Sequence, residues 1–416
     1  MGSRIYDRSR LYDFFLAVAS RYIHRSFRHY KCLGKENIPT DGALIFASNH
    51  CDALMDPLAV LALDSSTKVF VSRADIFSNP VAQKILTFMK ILPIHRMRDG
   101  LRNVIKTEET IEKSIEVIEN DVCFCIFPEG RHRAKHSLLP FGKGLSRIAY
   151  GAHCRIGAQK PVYIVPIGCE YGDYFRYRST LLLNIGKPVN VSEYVSRNKD
   201  LSENELLLGI KDLATEAIRD QIVYIPDDQD YEPVWSLTKS ATGRIHRRRL
   251  KERFDANRKT VARILKFKEE NPEKAASLFV RARSFEKERI RRKISINAFS
   301  SGNTMLRLLK LNALMVLLFP LFAAAAAFSL PTWLTAELVA VRAKDPAFRN
   351  SLRCAVITLL WSWLLIFAFI PAPFFTYDYF ELSRQTASAW RAMFAKKLHK
   401  EYETLCSTVD SLPVGD

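Results

Sequence analysis

The sequence predicts an α/β fold: a mostly parallel or mixed sheet covered by helices, followed by a basic helical extension and a C-terminal membrane helical hairpin. Three observations predict it. Short apolar runs alternate with helical periodicity from Gly42 to about Tyr224. Basic residues then crowd the chain as far as Lys310. Two long segments almost free of charge come last, Leu311–Leu330 and Cys354–Phe375.

The first element is an amphipathic basic helix within residues 1–35. Leu11, Phe14, Phe15, Val18, Tyr22 and Phe27 recur near helical spacing, and Arg8, Arg10, Arg21, Arg25 and Arg28 interleave with them. Two placements suit such a helix. It lies in a membrane interface with its arginines on lipid phosphates, or it packs on the domain with a solvated basic face. The apolar stretch Phe14–Ala19 is too short for a signal peptide and follows Asp13, so the α/β part is expected on the cytosolic side.

Residues 36–225 make up the α/β domain. Strand-like runs fall at Ala43–Ala47, Val69–Val71, Ile91–Ile94, Val122–Phe127, Tyr163–Ile167 and Leu181–Ile185. Between them, Ile105, Ile111, Ile115 and Ile118 share one face of a helix over Val104–Glu119. Leu206, Ile210, Leu213 and Ala217 do the same over Glu203–Val223.

The segment 226–310 opens with a linker, Asp227–Tyr231, and continues as basic helices. Arg247-Arg248-Arg249 and Arg291-Arg292-Lys293 mark it, and Pro272 divides it in two. Residues 311–377 hold the membrane segments, 311–330 and 354–375. About 22 helical residues span roughly 33 Å, enough for a hydrocarbon core of about 30 Å. Pro320 and the weakly hydrophobic Ala323–Ala327 leave the first segment open to kinking or re-entry. The second carries no charge and two tryptophans. Bases on both outer flanks, including those of the tail 378–416, favour a hairpin with its ends in the cytosol. Arg342, Lys344, Arg349 and Arg353 in the loop weaken that assignment.

Composition adds two constraints. A net charge of +18 attracts polyanions, either nucleic acid or an anionic membrane face. The bases adjoin membrane-length apolar segments, so anionic lipid is the expected partner and nucleic acid is not. The eight cysteines include no CxxC pair. They read as reduced thiols packed as small hydrophobes, with no zinc and a reducing compartment.

The residues that carry chemistry stand at strand ends, where ligands bind in α/β sheets. Asn49-His50 ends the run Ala43–Ala47, and Asp56 follows six positions later. On a regular helix that offset turns about 240° beyond one revolution, so the two meet only if the chain turns after His50. An acid there fixes the imidazole tautomer and stabilises the imidazolium of a general base. Asp52 is the rival partner. Glu129, in Pro128-Glu129-Gly130-Arg131, either bonds an acceptor hydroxyl, holds a neighbouring base, or is a solvated turn residue. Gly130 permits the tight turn. Leu138 to Gly144 leads into a helix and offers backbone N–H groups and Lys143 to an anion. Arg96 and Arg73 follow short strands. Bidentate phosphate binding and surface salt bridging are the alternatives for both.

Together these residues resemble the glycerolipid acyltransferases, the family of glycerol-3-phosphate and 1-acylglycerol-3-phosphate acyltransferases. The resemblance covers roughly residues 40–190. It is carried by Asn49-His50…Asp56-Pro57, Pro93-Ile94-His95-Arg96, Phe127-Pro128-Glu129-Gly130 and Val165-Pro166-Ile167. It implies His50 as general base and Asp56 as its orienting acid. Glycerol phosphate would be bound by the blocks holding Arg96 and Glu129-Gly130, and Pro166 would lie on the acyl-donor side. Five residues rather than the usual four separate His50 from Asp56, and Arg131-His132-Arg133 replaces the usual Thr-Arg-Ser. Both departures resemble the branch of fungal glycerol-3-phosphate/dihydroxyacetone-phosphate acyltransferases and their bacterial relatives, which also carries a Leu-Leu-Pro like Leu138–Pro140.

The expected activity is therefore membrane-bound O-acyl transfer in phospholipid biosynthesis. Acyl-CoA or acyl-carrier protein is the donor and a glycerol-3-phosphate hydroxyl the acceptor, with Arg131 or Lys143 helping Arg96 hold the phosphate. No metal or redox cofactor is called for. Lysophosphatidic acid or another lipid hydroxyl is the alternative acceptor. A non-catalytic basic membrane tether or nucleic-acid-binding protein is the distant alternative. The expected location is an integral membrane protein with its catalytic domain on the cytosolic face, in a bacterial cytoplasmic membrane or the endoplasmic reticulum.

Overall fold

The computed structural model describes residues 4–94, 101–300, 305–343, 345–362 and 371–413. The chain forms two compact units. The first comprises Met1–Ile222 with Ala343–Cys354, and the second Val223–Arg342 with Ala355–Asp416. In chain order the first unit holds α1 (Arg10–Ser26), β1 (His29–Leu33), β2 (Ala43–Ser48), α2 (Met55–Leu61), β3 (Lys68–Arg73), α3 (Pro80–Phe88), β4 (Ile91–Ile94), α4 (Leu101–Glu119), β5 (Cys123–Ile126), α5 (Gly144–Ile156), β6 (Val162–Tyr171), β7 (Thr180–Ile185), β8 (Val189–Asn190), α6 (Val191–Arg197) and α7 (Glu203–Arg219). Helices follow: α8 (Tyr231–Ala241), α9 (Leu250–Glu270), α10 (Pro272–Arg291), α11 (Ile296–Ser300), α12 (Met305–Val341), α13 (Phe348–Ser362), α14 (Ala372–Phe394) and α15 (Lys396–Asp410).

The eight strands form one sheet in the order β1-β7-β6-β2-β5-β3-β4, with β8 paired to β6 off this path. Pairs β1/β7, β2/β5, β2/β6, β3/β4 and β3/β5 are parallel. Pairs β6/β7 and β6/β8 are antiparallel. The sheet is mixed and helix-covered, as the alternating pattern required. Every residue of β5 is buried, which explains why Cys123–Ile126 is a continuous apolar run rather than an alternating one.

One core serves the sheet and its covering helices. Ile111, Ile115 and Ile118 of α4 and Leu145, Ile148 and Ala152 of α5 join Ile45, Phe124 and Ile164 in it, together with Ile210, Ala214 and Ile218 of α7. Each large aliphatic side chain buried there contributes about 1.5–3 kcal/mol relative to exposure. α7 starts at a capping box between Ser202 and Glu205, which satisfies two of its unbonded amide groups. All eight cysteines are free thiols, and Cys154 is the exposed one.

The second unit is helical. The expected break at Pro272 is present, since this proline occupies the first position of α10. Many of its bases are ion-paired rather than free. Arg283 meets Asp230, Arg281 meets Glu401, Arg289 meets Glu286, and Arg291 and Arg292 share Glu288. The charge that this unit can offer a polyanion is accordingly smaller than the residue count suggests.

The membrane segments differ from expectation in extent. The stretch Leu311–Leu330 lies inside α12, whose 37 residues run through Pro320 and Pro331. Among the described residues α12 is the one helix long and apolar enough to cross a membrane. The second expected segment, Cys354–Phe375, falls partly on residues 363–370, outside the described residues. Its described parts are the end of α13 and, after Pro371, the start of α14. Residues Ala343–Cys354 belong to the first unit, and Asp345 and Asn350 hydrogen-bond to its loops.

Candidate active site

The site forms where β2 ends between β5 and β6. Asn49 continues the ladder after the strand has stopped: its Oδ1 accepts from Cys169 N at 2.7 Å and its Nδ2 donates to Cys169 O at 3.2 Å. This pins the chain beside β6 and turns His50 toward the strand ends. A tight turn with Ala53 at φ 22° then reverses the chain into α2. That turn is the condition under which a six-residue offset brings the two side chains together. His50 Nδ1 lies 2.8 Å from Asp56 Oδ2.

Asp56 is fully buried and its acceptor capacity is well used. Besides the ring, Oδ2 accepts from Cys51 N at 2.6 Å and Asp52 N at 2.8 Å. Oδ1 accepts from the Tyr171 hydroxyl at 2.6 Å, at the end of β6. Since the carboxylate accepts, the ring presents Nδ1–H to it and Nε2 is left with a lone pair. Asp52, the rival, turns away and takes a hydrogen bond from Asn350 Nδ2 at 3.2 Å. Burial, and then the neighbouring Asp56 charge, push the Asp52 carboxyl up to about 8, with Asn350 acting in the opposite direction.

The turn after β5 clamps the turn after β2. Glu129 Oε1 accepts from His50 N at 2.8 Å, and Oε2 from Leu139 N at 2.8 Å. His50 O in turn accepts from Arg133 N at 2.9 Å. Of the tasks the sequence left open for Glu129, the geometry gives it that of holding the base in place. Glu129 is buried and both of its oxygens meet backbone amides. Burial raises its carboxyl to about 7, against the pull of those two amides. Gly130 has φ +66°, the left-handed conformation its turn requires. The Phe127 ring lies 4.6 Å from the His50 ring, centroid to centroid.

The remaining residues singled out from the sequence are distributed differently. Arg96 lies outside the described residues. Arg131 is exposed, one step beyond Gly130. Lys143 precedes α5 as expected, but its ammonium donates to Asn204 Oδ1 at 2.9 Å, so its recorded partner belongs to α7 and not to the His50 cluster. Pro166 is buried within β6, paired with Ala47. On the other flank, β8 pairs Tyr163 and Ile164 while β7 pairs Ile167 to Tyr171. A residue without an N–H fits the interval between them. Arg73 pairs with Asp75 at 2.6 Å, the surface alternative.

Several groups had not been singled out. Tyr171 had no signal beyond its place four residues past the expected strand Tyr163–Ile167. His132 lies edge-on to His50, with ring centroids 5.6 Å apart and planes at 77°. Its Nε2 lies 2.8 Å from Asp345 Oδ2. Asn350 donates to Tyr174 O at 2.7 Å as well as to Asp52, and Leu54 N donates to Ser351 Oγ at 3.2 Å. The strap Ala343–Cys354 thus contacts the loops that carry Asp52, Leu54, His132 and Tyr174. Among the described residues no group of three or more His, Cys, Asp or Glu could hold a metal ion.

Residues 29–170 match the family model described as Acyltransferase. Over 135 residues the chain is 31% identical to the chloroplastic 1-acyl-sn-glycerol-3-phosphate acyltransferase BAT2 of Brassica napus, covering 32% of this chain and 35% of that one. It is 33% identical over 97 residues to glycerol-3-phosphate O-acyltransferase 2 of Saccharomyces cerevisiae, covering 23% and 13%. The chain thus spans about a third or less of the length of these relatives. The crystal structure of the 1-acyl-sn-glycerophosphate (LPA) acyltransferase PlsC from Thermotoga maritima matches 51% of this chain and 82% of that one, at 20% identity and a TM-score of 0.37.

Proposed function

We propose that this chain, whose residues 29–170 match the Acyltransferase family model, is a membrane-bound O-acyltransferase that moves a fatty acyl group from a thioester to a hydroxyl of glycerol-3-phosphate. The observation that carries the proposal is the His50–Asp56 pair at 2.8 Å, with no partner for the ring's second nitrogen among the described residues. His50 Nε2 removes the proton from the acceptor hydroxyl as that oxygen attacks the thioester carbonyl. The tetrahedral intermediate collapses with expulsion of the thiolate, which takes the proton back from the imidazolium. Asp56, held by Cys51 N, Asp52 N and Tyr171, keeps the ring in the required tautomer and stabilises the cation between the two steps. Glu129 fixes the backbone of His50 while this happens.

The donor is acyl-CoA or acyl-carrier protein, and the acceptor phosphate is held by Arg96 and Arg131 in the family's acceptor blocks. The plant relatives named as 1-acyl-sn-glycerol-3-phosphate acyltransferases favour a second reading, with the 1-acyl derivative as acceptor. The protein is integral to the membrane through α12, with the domain on the cytosolic face. The unpaired bases of residues 239–310 add about 1 kcal/mol each near anionic lipid.

The test is acyl transfer by the full chain reconstituted in lipid, with acyl-CoA and either glycerol-3-phosphate or its 1-acyl derivative. The wild type should form ester with release of thiol, and His50→Ala should retain its fold and lose turnover. Equal rates for the two proteins would overturn the proposal, and the faster acceptor decides between the two readings.

A further inference from the structure

The strap Ala343–Cys354 lies far outside residues 29–170, yet two of its side chains meet the turn that carries His50 and Asp56. That turn pivots on Asp52. Its N–H donates to Asp56 Oδ2 at 2.8 Å, and its carbonyl accepts from Met55 N at 2.8 Å and Asp56 N at 3.2 Å. One residue later the chain bends at Ala53, a buried alanine held at φ 22°. An L side chain seldom adopts the left-handed region, because Cβ crowds the following carbonyl oxygen. Such a corner stays wound only where its surroundings over-determine it.

The strap grips the corner on both sides of Ala53. Before it, Asp52 Oδ2 accepts from Asn350 Nδ2 at 3.2 Å; after it, Leu54 N donates to Ser351 Oγ at 3.2 Å. Both strap residues are buried, Ser351 completely. The Asn350 amide is fully engaged, which fixes its orientation. It also donates from Nδ2 to Tyr174 O at 2.7 Å, and its Oδ1 accepts from Arg353 Nη1 at 3.3 Å. Asp52 Oδ1 has no hydrogen-bond partner among the described residues, so Asn350 is the recorded partner of this buried carboxyl. Leu54 N stands at the start of α2, where the helix supplies no acceptor of its own.

We propose that Asn350 and Ser351 are positioning residues for the transfer reaction: they keep the corner Asp52–Leu54 wound and, through it, hold Asp56 against the His50 ring. The proposal rests on the acyl-transfer reading above. Neither residue touches the reacting atoms. Unwinding the corner separates Asp52 N from the Asp56 carboxylate and frees the ring to rotate. The cost then falls on the orientation of the base and not on substrate affinity. Residues 29–170 are accordingly incomplete at their own catalytic turn, since the grip on it comes from 297 and 298 positions further along the chain.

The experiment compares Asn350→Ala, Ser351→Ala and Ser351→Thr with the wild type, each with and without Ala53→Gly. It uses the full chain reconstituted in lipid, with acyl-CoA and either glycerol-3-phosphate or its 1-acyl derivative. Loss of one ordinary hydrogen bond should lower kcat by about threefold to tenfold in each alanine variant, with both KM values held within about twofold. Ser351→Thr keeps the hydroxyl and should keep most of the wild-type kcat. Ala53→Gly removes the left-handed penalty, so it should return most of the kcat lost in Asn350→Ala. Wild-type kcat in both alanine variants overturns the proposal. So does a loss that Ala53→Gly fails to lessen, which is the result of general destabilisation alone. A turnover-independent reading is the downfield proton resonance of His50 Nδ1–H, identified by its absence in His50→Ala and recorded below the Tm of every variant. It should broaden or vanish in Asn350→Ala and return with Ala53→Gly. If the strap variants leave it unchanged, the positioning role fails on its own account. If they abolish it while the wild type esterifies neither acceptor, the transfer reading has failed and the grip on the dyad stands.

Discussion

Tyr171→Phe isolates one hydrogen bond in the candidate site. The ring is retained and only the hydroxyl, which donates to Asp56 Oδ1 at 2.6 Å, is lost. Both side chains are almost wholly inaccessible to solvent. Oδ2 keeps its three donors, but Oδ1 has no other recorded partner. A hydrogen bond to a charged group contributes about 1.5–3 kcal/mol. The variant should therefore be less stable by about 2–3 kcal/mol, a shift of several degrees in the apparent Tm in detergent. Turnover should fall by roughly tenfold, since about 1.4 kcal/mol of orientation or charge stabilisation corresponds to that factor, while KM for the acceptor holds. Thermal unfolding and steady-state acyl transfer read the two effects. An unchanged Tm with unchanged kcat would show that Asp56 is not supported from β6, and the account of a rigid dyad would fail.

Three further perturbations probe the same cluster. Asp56→Asn should lower kcat by about 10³–10⁴ with little change in KM, the scale seen when the orienting acid of a triad is neutralised; a loss below about tenfold would remove Asp56 from the mechanism. Glu129→Gln turns an amide N–H₂ toward the N–H of His50 or Leu139, so it should destabilise by about 1–3 kcal/mol and lower kcat; wild-type Tm in that variant would refute the clamp. Asp52 carries a pH signature. Its folded pKa, about 8, lies above its ordinary value of 3.8. Between those values the folded state therefore binds the extra proton, and stability falls as pH rises through the window. Asp52→Asn should flatten Tm against pH between about pH 4 and pH 8, and parallel curves for variant and wild type would contradict the shift.

The sheet was legible because strands buried on both faces leave continuous apolar runs, as at Cys123–Ile126. The strand His29–Leu33 was not, since His29 and Lys31 interrupt the pattern and its pairing with Thr180–Asn184 is long-range. The His50–Asp56 pair was legible because it is local. The choice between Asp56 and Asp52 was not, since it depends on how the turn at Ala53 is wound. Tyr171 and Asp345 approach the site from 115 and 213 residues away from the groups they bond. No local pattern encodes such contacts. The Gly-Lys-Gly setting of Lys143 is local, whereas Asn204, its partner, comes from a distant part of the chain. Pro166 stood out as part of a motif, and its place in the strand ladder accounts for it.

The turn between β2 and α2 closes on itself. Within His50 to Asp56 the ring, the acid and two of the amides that hold the acid all come from one short peptide. Such a heptapeptide is a portable cassette. It can be grafted behind a different buried strand, or drift in the lengths of its flanking loops, without losing its internal geometry. A designer moving it would need to supply from the host scaffold a hydroxyl to replace Tyr171, a carboxylate to replace Glu129 and the grip of Asn350 and Ser351. Such a graft would measure how much of the chemistry is intrinsic to seven residues and how much the rest of the protein adds.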